Sequence, residues 1–113
     1  MSKTIFKRII DKEIPAKIAF EDDKCLAFHD VNPQAPVHVL VIPKQEIASI
    51  DQIADADAPL IAHLWKVIPR LARELGLSGG YRVVVNCGEA AGETVPHLHF
   101  HILGGRPLGW PPG

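Results

Sequence analysis

The stretch Pro96-His97-Leu98-His99-Phe100-His101-Ile102-Leu103 sets histidine and large apolar residues in strict alternation. On an extended strand successive side chains point to opposite faces, so His97, His99 and His101 are predicted to share one surface. Leu98, Phe100 and Ile102 then pack into a core on the other side. Three imidazoles therefore line one side of a strand that is buried on its reverse.

The rest of the chain supplies a sheet for that strand. Ile5, Phe6, Ile9 and Ile10 fall on one helical stripe, which predicts a short helix over Thr4–Asp11, capped near Thr4 or Ser2 and ended by Pro15. Lys17–Glu21 and Lys24–His29 read as a hairpin turning at Asp22-Asp23. After the helix-incompatible Asn32-Pro33-Gln34-Ala35-Pro36, the nearly continuous apolar run Val37–Ile42 predicts a central strand with one polar guest, His38. Leu60, Leu64, Ile68, Leu71 and Leu75 recur at helical spacing, with Asp57 as N-cap, Pro59 in the first turn and Gly76 as stop. Pro69 inside this helix is expected to kink it. Trp65 on the same helix reads as a core or interface residue, and His63 as a solvated one. Tyr81–Asn86 is a further strand, and Gly88–Pro96 a loop leading to the histidine strand. Five strands and two main helices, without repeated β-α-β alternation, predict an α+β fold with a mainly antiparallel sheet.

Length and charge narrow the partners. The 113 residues suit one domain, residues 1–113, so a site must be built within one fold or across a subunit boundary. A net charge of -1 gives no broad electrostatic attraction to nucleic acid or to an anionic membrane, though a small anionic ligand remains compatible. Cys25 and Cys87 form no C-x-x-C pair, which argues against a disulfide framework or a zinc ribbon. No apolar targeting or membrane-spanning run is evident, so a cytoplasmic location is the expectation.

Three readings fit the histidine face. It could be a solvated sheet surface. It could hold zinc, but His97 and His101 lie about 13 Å apart along a strand, so only two of the three plus a residue such as His38 could share an ion. It could serve phosphate chemistry, since a neutral imidazole offers a lone pair to phosphorus near pH 7 while a neighbouring ring donates a proton.

The run His97-Leu98-His99-Phe100-His101-Ile102-Leu103-Gly104-Gly105-Arg106, with the ending Trp110-Pro111-Pro112-Gly113, resembles the His-x-His-x-His signature and tail of the histidine triad family, Hint branch. Phe6–Ile10, Cys25–Asp30, Pro33–His38, Val41–Lys44 and Gly80–Asn86 resemble Hint segments in the same order. The resemblance implies a site for adenosine or guanosine monophosphate derivatives, a covalent nucleotidyl-histidine intermediate and phosphoramidase or nucleotide hydrolase activity without a cofactor or metal. It makes His99 the nucleophile, His101 the phosphate-binding partner, and His97 and His38 supporting histidines. It makes Asp30 the ribose-binding carboxylate, Phe6, Ile9, Phe28, Val31 and Leu40 the walls around base and sugar, and Asn86 a phosphate-side amide. Thr94 stands where Hint proteins usually carry a serine facing the leaving group, and Glu93 where a glutamine is common. The family resemblance also implies a homodimer with a sheet extended across it and Trp110 near the partner's site. A dinucleoside polyphosphate hydrolase of a neighbouring branch and a nucleotide-binding scaffold with little turnover are the alternatives.

Overall fold

The structure is a computed structural model and describes residues 2–113. Helix α1, Ile5–Ile10, opens with Thr4, whose side-chain oxygen accepts from the Lys7 N–H at 3.1 Å and so satisfies one of the free amides of the first turn. Strands β1 (Ile18–Glu21) and β2 (Cys25–His29) form the expected hairpin, with β3 at Val37–Pro43. Helix α2 spans Ala58–Glu74, followed by β4 (Tyr81–Val84) and β5 (Phe100–Gly104). The five strands run in the order β1-β2-β3-β5-β4, and every pairing is antiparallel.

Two apolar layers lie on opposite sides of this sheet, and the period of two along β2 and β3 assigns residues to each. Cys25, Ala27, Val39 and Val41 pack with Phe100 and Ile102 against Leu64, Ile68 and Leu71 of α2. Leu26, Phe28, Leu40 and Ile42 face the other way, against Phe6 and Ile9 of α1. The small helix and the large one therefore cover different faces, and the histidines belong to the side of the small one.

Several local expectations need correction. The last strand begins at Phe100, not His97. The backbone N–H of Leu98 is taken by the Ile47 carbonyl at 2.7 Å, outside the sheet, and Pro43 at the end of β3 has no N–H to offer a continuing ladder. Tyr81–Asn86 shortens to Tyr81–Val84 for β4. Asp57 makes no side-chain cap on α2; its carboxylate accepts instead from the Ala54 N–H and Gln45 Nε2, both at 2.9 Å, which bracing holds the turn before the helix. Gly76 does stop the helix: its φ of +77° suits glycine, and the Leu77 N–H then closes back on the Ala72 carbonyl at 2.9 Å. No helix among the described residues is long and apolar enough to cross a membrane.

Candidate active site

Although His99 precedes the strand, its ring and that of His101 lie on the same side, with centroids 5.1 Å apart. They line a cleft of about 280 Å³ that opens beside α1. Phe6, Ile9, Phe28 and Leu40 form its apolar wall, and Phe6 meets the His99 ring edge to face at 5.0 Å. Asp30, Val31 and Thr94 also line it; Val31 is 99% exposed and Thr94 sits at the surface rim. The structure thus brings together nine of the residues singled out in the sequence, Phe6, Ile9, Phe28, Asp30, Val31, Leu40, Thr94, His99 and His101, around one cavity.

Hydrogen bonds fix where the protons sit. A carbonyl can only accept, so the 2.7 Å contact between His99 Nδ1 and the His97 carbonyl places a proton on Nδ1. His99 Nε2 is left with an unprotonated lone pair whenever the ring is neutral. A second chain of bonds starts from the Gln34 backbone N–H, which donates to His38 Nδ1 at 3.0 Å. That donation puts the His38 proton on Nε2, which donates to His101 Nδ1 at 2.9 Å. The remaining proton of a neutral His101 is consequently on Nε2. One ring of the cleft therefore offers a lone pair and its neighbour an N–H.

The supporting residues divide differently from the expectation. His38 is buried behind His101 and does not line the cleft, and Asp30 Oδ2 lies 3.5 Å from its Nε2. His97 is also buried and outside the cleft, with Nε2 donating to the Pro43 carbonyl at 2.8 Å. Its ring does not join the His38–His101 chain; its carbonyl is what reaches His99. Asn86 and Trp110 do not line the cavity, and Trp110 is 82% exposed. Ile14, Pro15 and Ala16 add to the apolar wall from the turn after α1, a contribution hidden in sequence because an irregular segment carries no periodic signal.

Gln34 is the other residue the sequence did not single out. Its carbonyl accepts from Arg106 Nη2 at 3.1 Å, so the segment after β5 grips the loop whose amide orients His38. Gly105 permits that approach, with φ of +89° and no room for a Cβ, which would meet that of Pro36 at 2.9 Å. Nothing in the sequence pattern alone pairs residues 34 and 106.

Burial, with the neighbouring His99 and His38 rings, pushes His101 down from its ordinary 6.5 to about 4. Burial likewise lowers His38, against the pull of Asp30, and lowers His97. Because these folded values lie below those of the unfolded chain, the unfolded chain binds more protons in between, and stability drops as the pH is lowered through that range. The contribution is complete above pH 6.5 and is lost progressively towards pH 4, at most about 3 kcal/mol from His101. Asp22, whose burial is outweighed by hydrogen bonds from Lys24, His63 and Cys25, sits at about 2 against an ordinary 3.8, so its loss comes below this window. Urea midpoints are expected to fall steadily across the window, with a shallower fall in His101→Gln; a flat profile would contradict the assignment.

A HIT domain family model matches residues 11–108. An uncharacterized HIT-like protein of Synechococcus elongatus is 56% identical over 110 residues, covering 97% of this chain and 96% of that one. Among solved structures, a HIT family hydrolase of Legionella pneumophila superposes with a TM-score of 0.96 at 46% identity, covering 98% of this chain and 100% of its own. At lower identity, 34%, a histidine triad nucleotide-binding protein of Candida albicans superposes with a TM-score of 0.82 over 96% of this chain and 83% of that one. The five-stranded antiparallel sheet, its two helices and its sequence agree: this chain belongs to the HIT family.

Proposed function

We propose that this protein is a purine nucleoside phosphoramidase or nucleotide hydrolase that works through a nucleotidyl-histidine intermediate. The observation that carries the reading is the pair of tautomers in the cleft: His99 held with Nε2 free, beside His101 held with its proton on Nε2. The hydrolase and nucleotide-binding relatives support the same class of chemistry.

In the proposed reaction His99 Nε2 attacks the phosphorus of a nucleoside phosphoramidate, forming an N–P bond as the P–N bond to the amine breaks. The departing amine takes up a proton relayed through the Thr94 hydroxyl, which lines the rim of the cleft and regains one from solvent. Water then attacks the phosphorus, releasing nucleoside monophosphate and returning the electron pair to His99. His101 Nε2–H donates to a non-bridging phosphoryl oxygen, where negative charge is greatest. Phe6, Ile9, Phe28 and Leu40 receive base and sugar by burying their apolar faces. Asp30 Oδ1 already accepts from the Asn32 N–H at 2.8 Å, which orients the carboxylate to accept from ribose hydroxyls. No resident metal or cofactor enters these steps.

The chain is also proposed to work as a homodimer. Strand β4 stands at a sheet edge, and Tyr81 and Trp65 are exposed at 38% and 49%. Light scattering at twice the chain mass is the expected result, and a monomer mass would count against it.

The reaction itself is tested by incubating the protein with adenosine phosphoramidate, quenching under alkaline conditions and mapping the adduct by mass spectrometry. An adenylyl group on His99 is expected. Turnover with the adduct on another residue, or with no adduct at all under single-turnover conditions, would remove the proposal.

A further inference from the structure

On the face of the sheet away from the cleft, three donors of different chemistry converge from three parts of the chain. They are the Asp22 carboxylate in the hairpin turn, the Cys25 thiol at the start of β2 and the His63 imidazole on α2, with their ligand atoms all within 4.8 Å of one another. The geometry points to a divalent transition-metal site, best suited to zinc, formed by Asp22, Cys25 and His63. This inference is independent of the proposed hydrolytic chemistry.

Each donor is held before any ion arrives. Asp22 Oδ1 accepts from the backbone N–H groups of Lys24 and Cys25, both at 2.8 Å, which aims Oδ2 at His63 Nε2, 2.7 Å away. Cys25 is fully buried in the ladder, paired with Pro43 on β3. The Cys25 thiol donates to the same Asp22 carboxylate that meets His63, so the carboxylate already draws the sulfur and the imidazole to one point. A buried apolar side chain at position 25 would fill the core without presenting sulfur to a carboxylate and an imidazole.

Charge and size agree with a zinc ion. One thiolate and one carboxylate neutralise the two positive charges, and a neutral imidazole adds none, which keeps the desolvation cost low. Around a tetrahedral ion the three ligand atoms lie about 3.3–3.8 Å apart, so from their present spacing the sulfur has to close by at most roughly 1 Å and the Asp22–His63 contact to open by roughly half that. The Asp22 and His63 side chains are 24% and 29% exposed, which leaves a way in and a fourth position for water. The bound ion would clip the β1–β2 turn to α2, replacing a hydrogen bond and a thiol proton with three coordinate bonds. Among the described residues the other trio within the same spacing, Asp30, His38 and His101, belongs to the hydrogen-bonded network of the candidate active site.

The test uses the full chain, purified without a histidine tag, stripped with chelator and titrated with Zn²⁺ and Co²⁺. One equivalent is expected to bind, the cobalt form showing a thiolate-to-metal charge-transfer band in the near ultraviolet, and zinc raising the unfolding midpoint. Cys25→Ala should abolish the band and weaken binding at least about 100-fold, more than loss of an outer partner does. His63→Gln, a change at a partly exposed position that leaves the core intact, should weaken binding without unfolding the protein. No binding at micromolar metal overturns the proposal. So does a complex whose band survives Cys25→Ala, which would arise from Cys87, or a complex without the band that His101→Ala abolishes.

Discussion

His99→Ala is expected to lower kcat/KM for a nucleoside phosphoramidate by at least about 10⁴-fold, the scale on which loss of a covalent nucleophile is felt. The expectation follows from Nδ1–H being committed to the His97 carbonyl, so that Nε2 is the only ring atom left to bond phosphorus. Alanine retains no nucleophile there, and His101 cannot substitute, because its Nδ1 accepts from His38 and its Nε2 carries a proton. The apolar wall and Asp30 are untouched, so nucleoside monophosphate should still bind within a few-fold of the parent affinity. Kinetics on phosphoramidate and calorimetric titration with AMP measure the two halves separately. Turnover retained within tenfold would disprove a role as nucleophile. Loss of turnover together with loss of AMP binding would mean that the ring shapes the cleft instead. His99 is buried against Phe6, so a thermal melt of the variant must accompany both measurements.

The residue alternation in the histidine segment disclosed the site because side-chain direction survives where ladder hydrogen bonds do not. His97 and His99 lie before β5, yet Leu98 still joins the α2-side core with Phe100 and Ile102, while His99 still faces α1. The expected division of faces was therefore right, although the expected strand boundary was wrong. What sequence periodicity did not disclose were contacts between segments far apart in the chain. His63 reads as solvated from its helix alone, but Asp22, 41 residues earlier, is brought to it by the hairpin packing beside α2. Likewise, His38 is visible as a polar guest in an apolar strand, whereas the amide that fixes its tautomer comes from Gln34, in a loop gripped by Arg106. Asn86 and Trp110 entered through family resemblance rather than through pattern, and neither lines this chain's cleft.

The same alternation makes Phe100 the position at which packing and chemistry are most tightly joined. Its ring is 1% exposed, meets Trp65 of α2 edge to face at 5.3 Å, and lies opposite Val41 in the ladder. Phe100→Ala removes that buried ring and is expected to destabilise the fold by about 3–5 kcal/mol, because sheet and helix cannot both close on the cavity. For a chain of this size the corresponding fall in Tm is about 12–20 °C. Trp65→Ala, at a half-exposed position, should cost less. Well below its lowered Tm the Phe100 variant should remain folded but turn over more slowly, since the backbone that carries Phe100 also sets the relative placement of His99 and His101. A shift of about 1 Å in such a pair can cost up to about 10²-fold. Thermal melts and kinetics at low temperature check both effects, and Phe100→Leu, which keeps much of the volume, should recover most of each. If stability falls as expected while low-temperature turnover is unchanged, the histidine pair is held by its own hydrogen bonds, through His97, His38 and Gln34, and not by the core on the far side of the sheet.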